Sequence, residues 1–86
     1  MTVQPCPCCD YLTLGRRGDY EICPVCFWED DGLSLDALDT PSGPNHLTLR
    51  EARANFAAFG ACNEASRPHV LSEQERTKFS RISRRV

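Results

Sequence analysis

Cys6-Pro7-Cys8-Cys9 and Cys23-Pro24-Val25-Cys26 hold five of the six cysteines of this 86-residue chain. Each contains a Cys-x-x-Cys pair, and thirteen residues separate Cys9 from Cys23. A two-residue gap lets both sulfurs of a pair reach one ion without strain, and two such pairs close a tetrahedral site. The spacing predicts one zinc ion held by Cys6, Cys9, Cys23 and Cys26, with iron in the same four-sulfur site as the alternative. Four thiolates leave no position for water or substrate, so the ion is expected to be structural. Cys8 reads as a small filler within the first turn; as an alternative ligand it would chelate awkwardly across a one-residue gap. Cys62 reads as a small buried apolar residue.

The metal reading is favoured by size. A chain this short buries a limited core and usually needs a metal, disulfides or oligomerisation. Met1-Thr2-Val3-Gln4-Pro5 has no basic or apolar leader pattern, and no stretch is long and apolar enough to span a membrane, so the expected setting is the reducing cytoplasm. Thiols stay free there, and adjacent Cys8 and Cys9 are poor disulfide partners.

The chain between the clusters predicts a β-hairpin. Tyr11-Leu12-Thr13-Leu14 and Tyr20-Glu21-Ile22 alternate around two glycines. Thr13 and Glu21 are expected on the wet face. Each proline fixes φ just after the first cysteine of its turn. A positive φ is expected after the second cysteine, at Asp10 and Phe27. Aspartate tolerates that conformation better than phenylalanine, so the second turn is expected to differ in shape.

Downstream, Leu49, Ala52, Phe56 and Phe59 recur at helical spacing. Thr48-Leu49-Arg50-Glu51 is a capping box and Gly60 a stop, which predicts a helix over about 48–60. Ser72-Glu73-Gln74-Glu75 is a second capping box. With the stripe Phe79, Ile82 and Val86, it predicts a basic helix over about 72–84. The expected fold is a small α+β domain, its N-terminal zinc-ribbon β-hairpin packed against one or two C-terminal α-helices. Residues 1–66 form the cysteine domain and 67–86 a basic helix on the same body. Phe27, Trp28, Leu49, Phe56, Phe59, Phe79 and Ile82 are the expected core.

Charge is divided along the chain. Residues 1–40 carry two arginines against eight acids, and residues 41–86 carry eight Lys/Arg against four acids. The acidic half should repel a phosphate backbone, while Arg76, Lys78, Arg81, Arg84 and Arg85 are candidates to contact nucleic acid. Self-association through opposite halves of two copies is another reading. Glu29, Asp30 and Asp31 could hold a second, hard cation and serve a hydrolase, but a solvated acidic turn is the simpler reading. Trp28, with these three acids, is a candidate partner surface, though its simpler reading is a core lid. His46 and His69 have no ligand partner at suitable spacing.

The blocks Cys6-Pro7-Cys8-Cys9, Cys23-Pro24-Val25-Cys26-Phe27-Trp28-Glu29-Asp30-Asp31-Gly32 and Glu51-Ala52-Arg53-Ala54-Asn55-Phe56 together resemble the bacterial cysteine-rich CPCC domain family over about residues 4–62. The resemblance implies a zinc-ribbon-like fold and ligand roles for Cys6, Cys9, Cys23 and Cys26. It implies no particular reaction. Members of that family usually carry glycine where this chain has Asp10, and the segment after about Ser66 lies beyond the resemblance. The function expected is a zinc-stabilised binding module for a protein partner and not an enzyme. One concrete form is an immunity or antitoxin protein whose acidic surface blocks a basic toxin.

Overall fold

A computed structural model describes residues 3–86. Met1 and Thr2, where the domain was drawn to begin and no leader was expected, lie outside the described residues. Strand β1 (Gln4–Pro5) pairs antiparallel with β2 (Leu12–Leu14), with a register irregularity between Gln4 and Pro5. One α-helix follows, α1 (Leu49–Phe59), with short 3-10 turns at Leu35–Ala37, Glu64–His69 and Glu75–Lys78. This is a small α+β fold.

The N-terminal hairpin exists, but not between the expected strands. Residues 20–22 do not pair with β2. They face residues 29–30 instead: Tyr20 N donates to Asp30 O and Asp30 N to Glu21 O, both at 2.9 Å, and Ile22 bridges Glu29. Each cysteine turn thus sits at the tip of its own short hairpin. The turn's internal hydrogen bond, Cys6 N to Tyr11 O at 2.8 Å, begins the ladder that β1 and β2 continue. The residues between do not stay extended, because Tyr20 has φ 58. Glu21 is half-buried, and its carboxylate folds back to accept from Gly15 N and Arg16 N at the surface.

Helix α1 matches its sequence signals. The Thr48 hydroxyl accepts from Glu51 N, the Glu51 carboxylate accepts from Thr48 N, and Gly60 ends the helix at φ 78. Leu49, Ala52 and Phe56 turn inward onto Leu14, Val25, Trp28 and the cysteines, which form one buried cluster. Phe27, Phe59 and Phe79 are half-buried, and Ile82 is exposed, so these four belong to the margin rather than the centre of the core. The radius of gyration, 11.5 Å, matches the roughly 12 Å of a compact body of this length.

The second helix does not form. Its capping box is present, with Ser72 N donating to Glu75 Oε1 and Glu75 N to Ser72 Oγ, but it starts only the 3-10 turn Glu75–Lys78. Beyond it the chain is extended. Leu12 N donates to Ser80 O at 2.8 Å, Ile82 N to Asp10 O at 3.0 Å, and Tyr11 bridges Arg81. A short isolated helix is marginal in water. The extended arm instead gains backbone hydrogen bonds on the first cysteine turn and, as shown next, a buried charge partner.

Candidate metal centre

The two cysteine turns fold identically in their hydrogen bonding. Asp10 N donates to Cys6 O at 2.9 Å and Phe27 N to Cys23 O at 2.8 Å; Cys23 N donates to Trp28 O as Cys6 N does to Tyr11 O. Asp10 and Phe27 both take the left-handed conformation, at φ 68 and φ 71. The expected difference in shape between the turns is therefore absent. Phe27 is held in that strained conformation while its ring stacks on His69 at 5.1 Å. This gives His69 a packing role.

These turns bring the sulfurs of Cys6, Cys9, Cys23 and Cys26 within 4.8 Å of one another, all buried. Across the cluster, Cys6 and Cys26 are 3.6 Å apart and Cys9 and Cys23 are 3.7 Å apart. Four sulfurs at about 2.3 Å from a central ion stand about 3.8 Å from each other in a regular tetrahedron. A disulfide would require about 2.05 Å. The donor set therefore fits a metal ion and not a pair of bridges. Burial pushes the thiols of Cys6 and Cys26 up, and the hydrogen bond shared with Cys23 pushes Cys9 up. Hydrogen bonds from the other three and from Thr13 hold Cys23 low. Four crowded thiols cannot all ionise without a cation among them, and a bound metal ion would supply that charge.

Thr13 was expected to face solvent. It is half-buried, and its Oγ1 donates to Cys23 Sγ at 3.0 Å, which stabilises a thiolate there. Cys8 is buried but outside the four-sulfur group. Cys62 is also buried and outside it; burial pushes its thiol up to about 11, and it contacts Ser66 Oγ at 3.8 Å. The buried small-residue reading of Cys62 agrees with this placement.

The carbonyls around the two turns are satisfied in different ways. Those of Cys26 and Pro24 accept backbone amides, from Cys62 at 2.8 Å and Leu71 at 3.2 Å. Those of the first turn accept arginines. Arg53 Nη1 donates to Pro7 O at 2.6 Å, Arg81 Nε to Cys9 O at 3.1 Å and Arg84 Nη2 to Cys6 O at 2.9 Å. Asp10, 1 % exposed, is the anchor. Its carboxylate accepts from both Nη atoms of Arg53 at 2.8 and 3.0 Å, and from N and Nε of Arg84 at 3.0 and 2.9 Å. Burial works to raise the Asp10 pKa, but these donors outweigh it and leave the carboxyl below its usual value. The basic tail is thus turned inward onto the acidic, thiolate-bearing half.

That arrangement corrects several expectations. Arg84 is committed to Asp10, and Arg81 is tied by its Nε to the turn, so the array Arg76, Lys78, Arg81, Arg84 and Arg85 forms no helical nucleic-acid face. Trp28 and Asp30 are fully buried and offer no partner surface, while Glu29 and Asp31 are half-buried. The core-lid reading of Trp28 stands. Its Nε1 is the one buried side-chain nitrogen or oxygen among the described residues without a hydrogen-bond partner.

The acidic turn is not simply solvated. Asp30 accepts from Arg17 Nε at 2.9 Å, Gly18 N at 2.8 Å and Gly32 N at 3.2 Å; Asp31 accepts from Ser42 Oγ and Leu33 N. Among the described residues the only cluster of three or more metal-ligating side chains is the four cysteines, so Glu29, Asp30 and Asp31 do not converge on a second ion. Asp30→Asn leaves Arg17 without its buried charge partner and is expected to cost about 3 kcal/mol in thermal unfolding, with metal content unchanged.

The geometry and the sequence together identify the class of protein. The chain belongs to the cysteine-rich CPCC family, whose model matches residues 4–77. The match runs further than the resemblance over 4–62 and reaches into the turn Glu75–Lys78 as far as Thr77, taking in Arg76. It stops before Arg81 and Arg84. No curated protein and no solved structure matches the chain. No helix among the described residues is long and apolar enough to cross a membrane.

Proposed function

We propose that this chain is a zinc-stabilised binding module that docks a protein partner in a reducing, cytoplasmic setting and is not itself a catalyst. The observation that carries the reading is the closed site: four buried sulfurs fill a tetrahedral shell, leaving the ion no position for substrate. Zinc is the ion of the proposal because four thiolates in a structural site are its characteristic donor set.

The face offered to a partner lies on the second hairpin. Tyr20 and Ile22 are 59 % and 49 % exposed, and Asp19, exposed, and Glu29, half-buried, flank them. Ile22 and Glu29 edge a depression of about 170 Å³ shared with Phe27, Pro44 and His46. Tyr20 is held at φ 58 by the hydrogen bond its backbone N–H donates to Asp30 O, a conformation costing an aromatic residue about 1–3 kcal/mol. Rigidly displayed tyrosines serve well as interface anchors. The acids make the preferred occupant a basic protein segment with an apolar anchor, which is the chemistry an immunity-like role against a basic toxin would use.

A photo-crosslinking residue at Ile22 tests this in the source cytosol. The expected result is one discrete protein adduct, lost when Asp19→Lys and Glu29→Lys are combined, with metal content and circular dichroism unchanged. No adduct, or an adduct indifferent to that charge reversal, would refute the reading.

A further inference from the structure

We infer that the cavity between the first cysteine turn, α1 and the C-terminal arm binds a small phosphate, through Arg76 and Arg81. The cavity measures about 300 Å³ and is lined by Cys8, Tyr11, Arg53, Phe56, Arg76 and Arg81, with no carboxylate in its wall. It lies apart from the docking face proposed above and does not depend on it.

The arginines differ in how far they are already used. Both Nη atoms of Arg53 are committed to Pro7 O, Asp10 and Arg84 O. Among the described residues Arg81 spends only Nε, on Cys9 O, and uses neither Nη group. The Arg76 guanidinium makes no hydrogen bond among the described residues; it lies over Phe56 at 5.0 Å and over Tyr11 at 5.9 Å. Arg81 lies over the same Tyr11 ring at 5.7 Å. Two cations are therefore held around one phenol ring, with unused donors, no ion pair to either among the described residues and no carboxylate in the wall of this cavity.

A tetrahedral dianion satisfies both charges and accepts several N–H groups at once, a geometry suited to guanidinium. A neighbouring cavity of about 450 Å³ also carries arginines, but Arg50 and Arg84 there are already paired with Asp39 and Asp10. The volume is at the small end for ligand sites, which selects free phosphate or a short phosphate monoester over a polymer. The edges of Tyr11 and Phe56 give an organic substituent an apolar wall.

The test uses the metal-loaded full chain, with inorganic phosphate and phenyl phosphate as probes against chloride at matched ionic strength. Calorimetry should give saturable one-site binding of at least one probe, and a rise in melting temperature with its concentration. Tighter binding of inorganic phosphate assigns free phosphate, and tighter binding of phenyl phosphate assigns a monoester. Arg76→Gln removes no hydrogen bond of the fold and should weaken binding about tenfold or more. Ala57→Asp, at an exposed helix position on the cavity rim, should do the same, whereas Arg85→Gln should bind as the parent does. Absence of saturable binding to either probe, or binding that survives Arg76→Gln, overturns the inference.

Discussion

Cys9→Ser is expected to lose the metal and the N-terminal fold together. A hydroxyl replaces a thiolate in a shell whose cross-distances, 3.6 and 3.7 Å, already match a four-sulfur ion. Metal binding in small domains contributes roughly 10 kcal/mol or more, against a whole stability of about 5–15 kcal/mol. Both turns and the strands they begin depend on that ion, because β1 and β2 hold two and three residues only. Chelation should therefore act like the substitution, abolishing the cooperative thermal transition. Cys8→Ser is the informative control. Cys8 sits one residue from Cys9 and is as well buried, but lies outside the sulfur cluster. It should retain one ion per chain and a cooperative transition.

Asp10→Asn is expected to be the next most damaging change, at about 3–5 kcal/mol in urea unfolding with excess metal present. Asparagine accepts a positive φ as aspartate does, so the turn keeps its shape and the charge alone is removed. Arg53 and Arg84, with side chains 15 % and 26 % exposed, then lose their common counter-ion. Removing one member of a buried ion network leaves the others desolvated and unpaired, which is why the cost exceeds that of a surface pair. The arm over residues 79–86 should become more susceptible to proteolysis in this variant, since Arg84 attaches through the Asp10 carboxylate. A loss of less than about 1 kcal/mol would show that the charge network is incidental to stability.

Some of this architecture was legible in the chain and some was not, for physical reasons. The ligand cysteines and α1 are local signals: a two-residue gap is a chelating geometry, and Thr48, Glu51 and Gly60 satisfy helix ends within a few residues of themselves. The positive φ at Asp10 and Phe27 followed from the turn in the same way. The hairpin partners were misjudged because alternation in 11–14 and 20–22 does not say which edge each will meet. The cysteine turns supply closer partners. The capping box at Ser72 was real, yet a cap only starts a helix. What stops it lies far away in sequence: residues 10–12 offer backbone groups, and Asp10 offers a buried carboxylate. A basic run therefore read as a solvated helix when it is the electrostatic complement of the first turn. Asp30 was misread for a similar reason, since Arg17 lies thirteen residues before it.

The central claim is that four thiolates enclose one ion and that the fold is built around it. X-ray absorption at the metal edge of the purified protein, with elemental analysis, tests this most directly. The result predicted is one metal per chain at the zinc edge, with four sulfur neighbours at about 2.3 Å and no nitrogen or oxygen in the shell. An iron edge with the same four sulfurs would correct the ion and keep the site. Three sulfurs with a lighter neighbour, or a chain that folds cooperatively with no bound metal, would contradict the account.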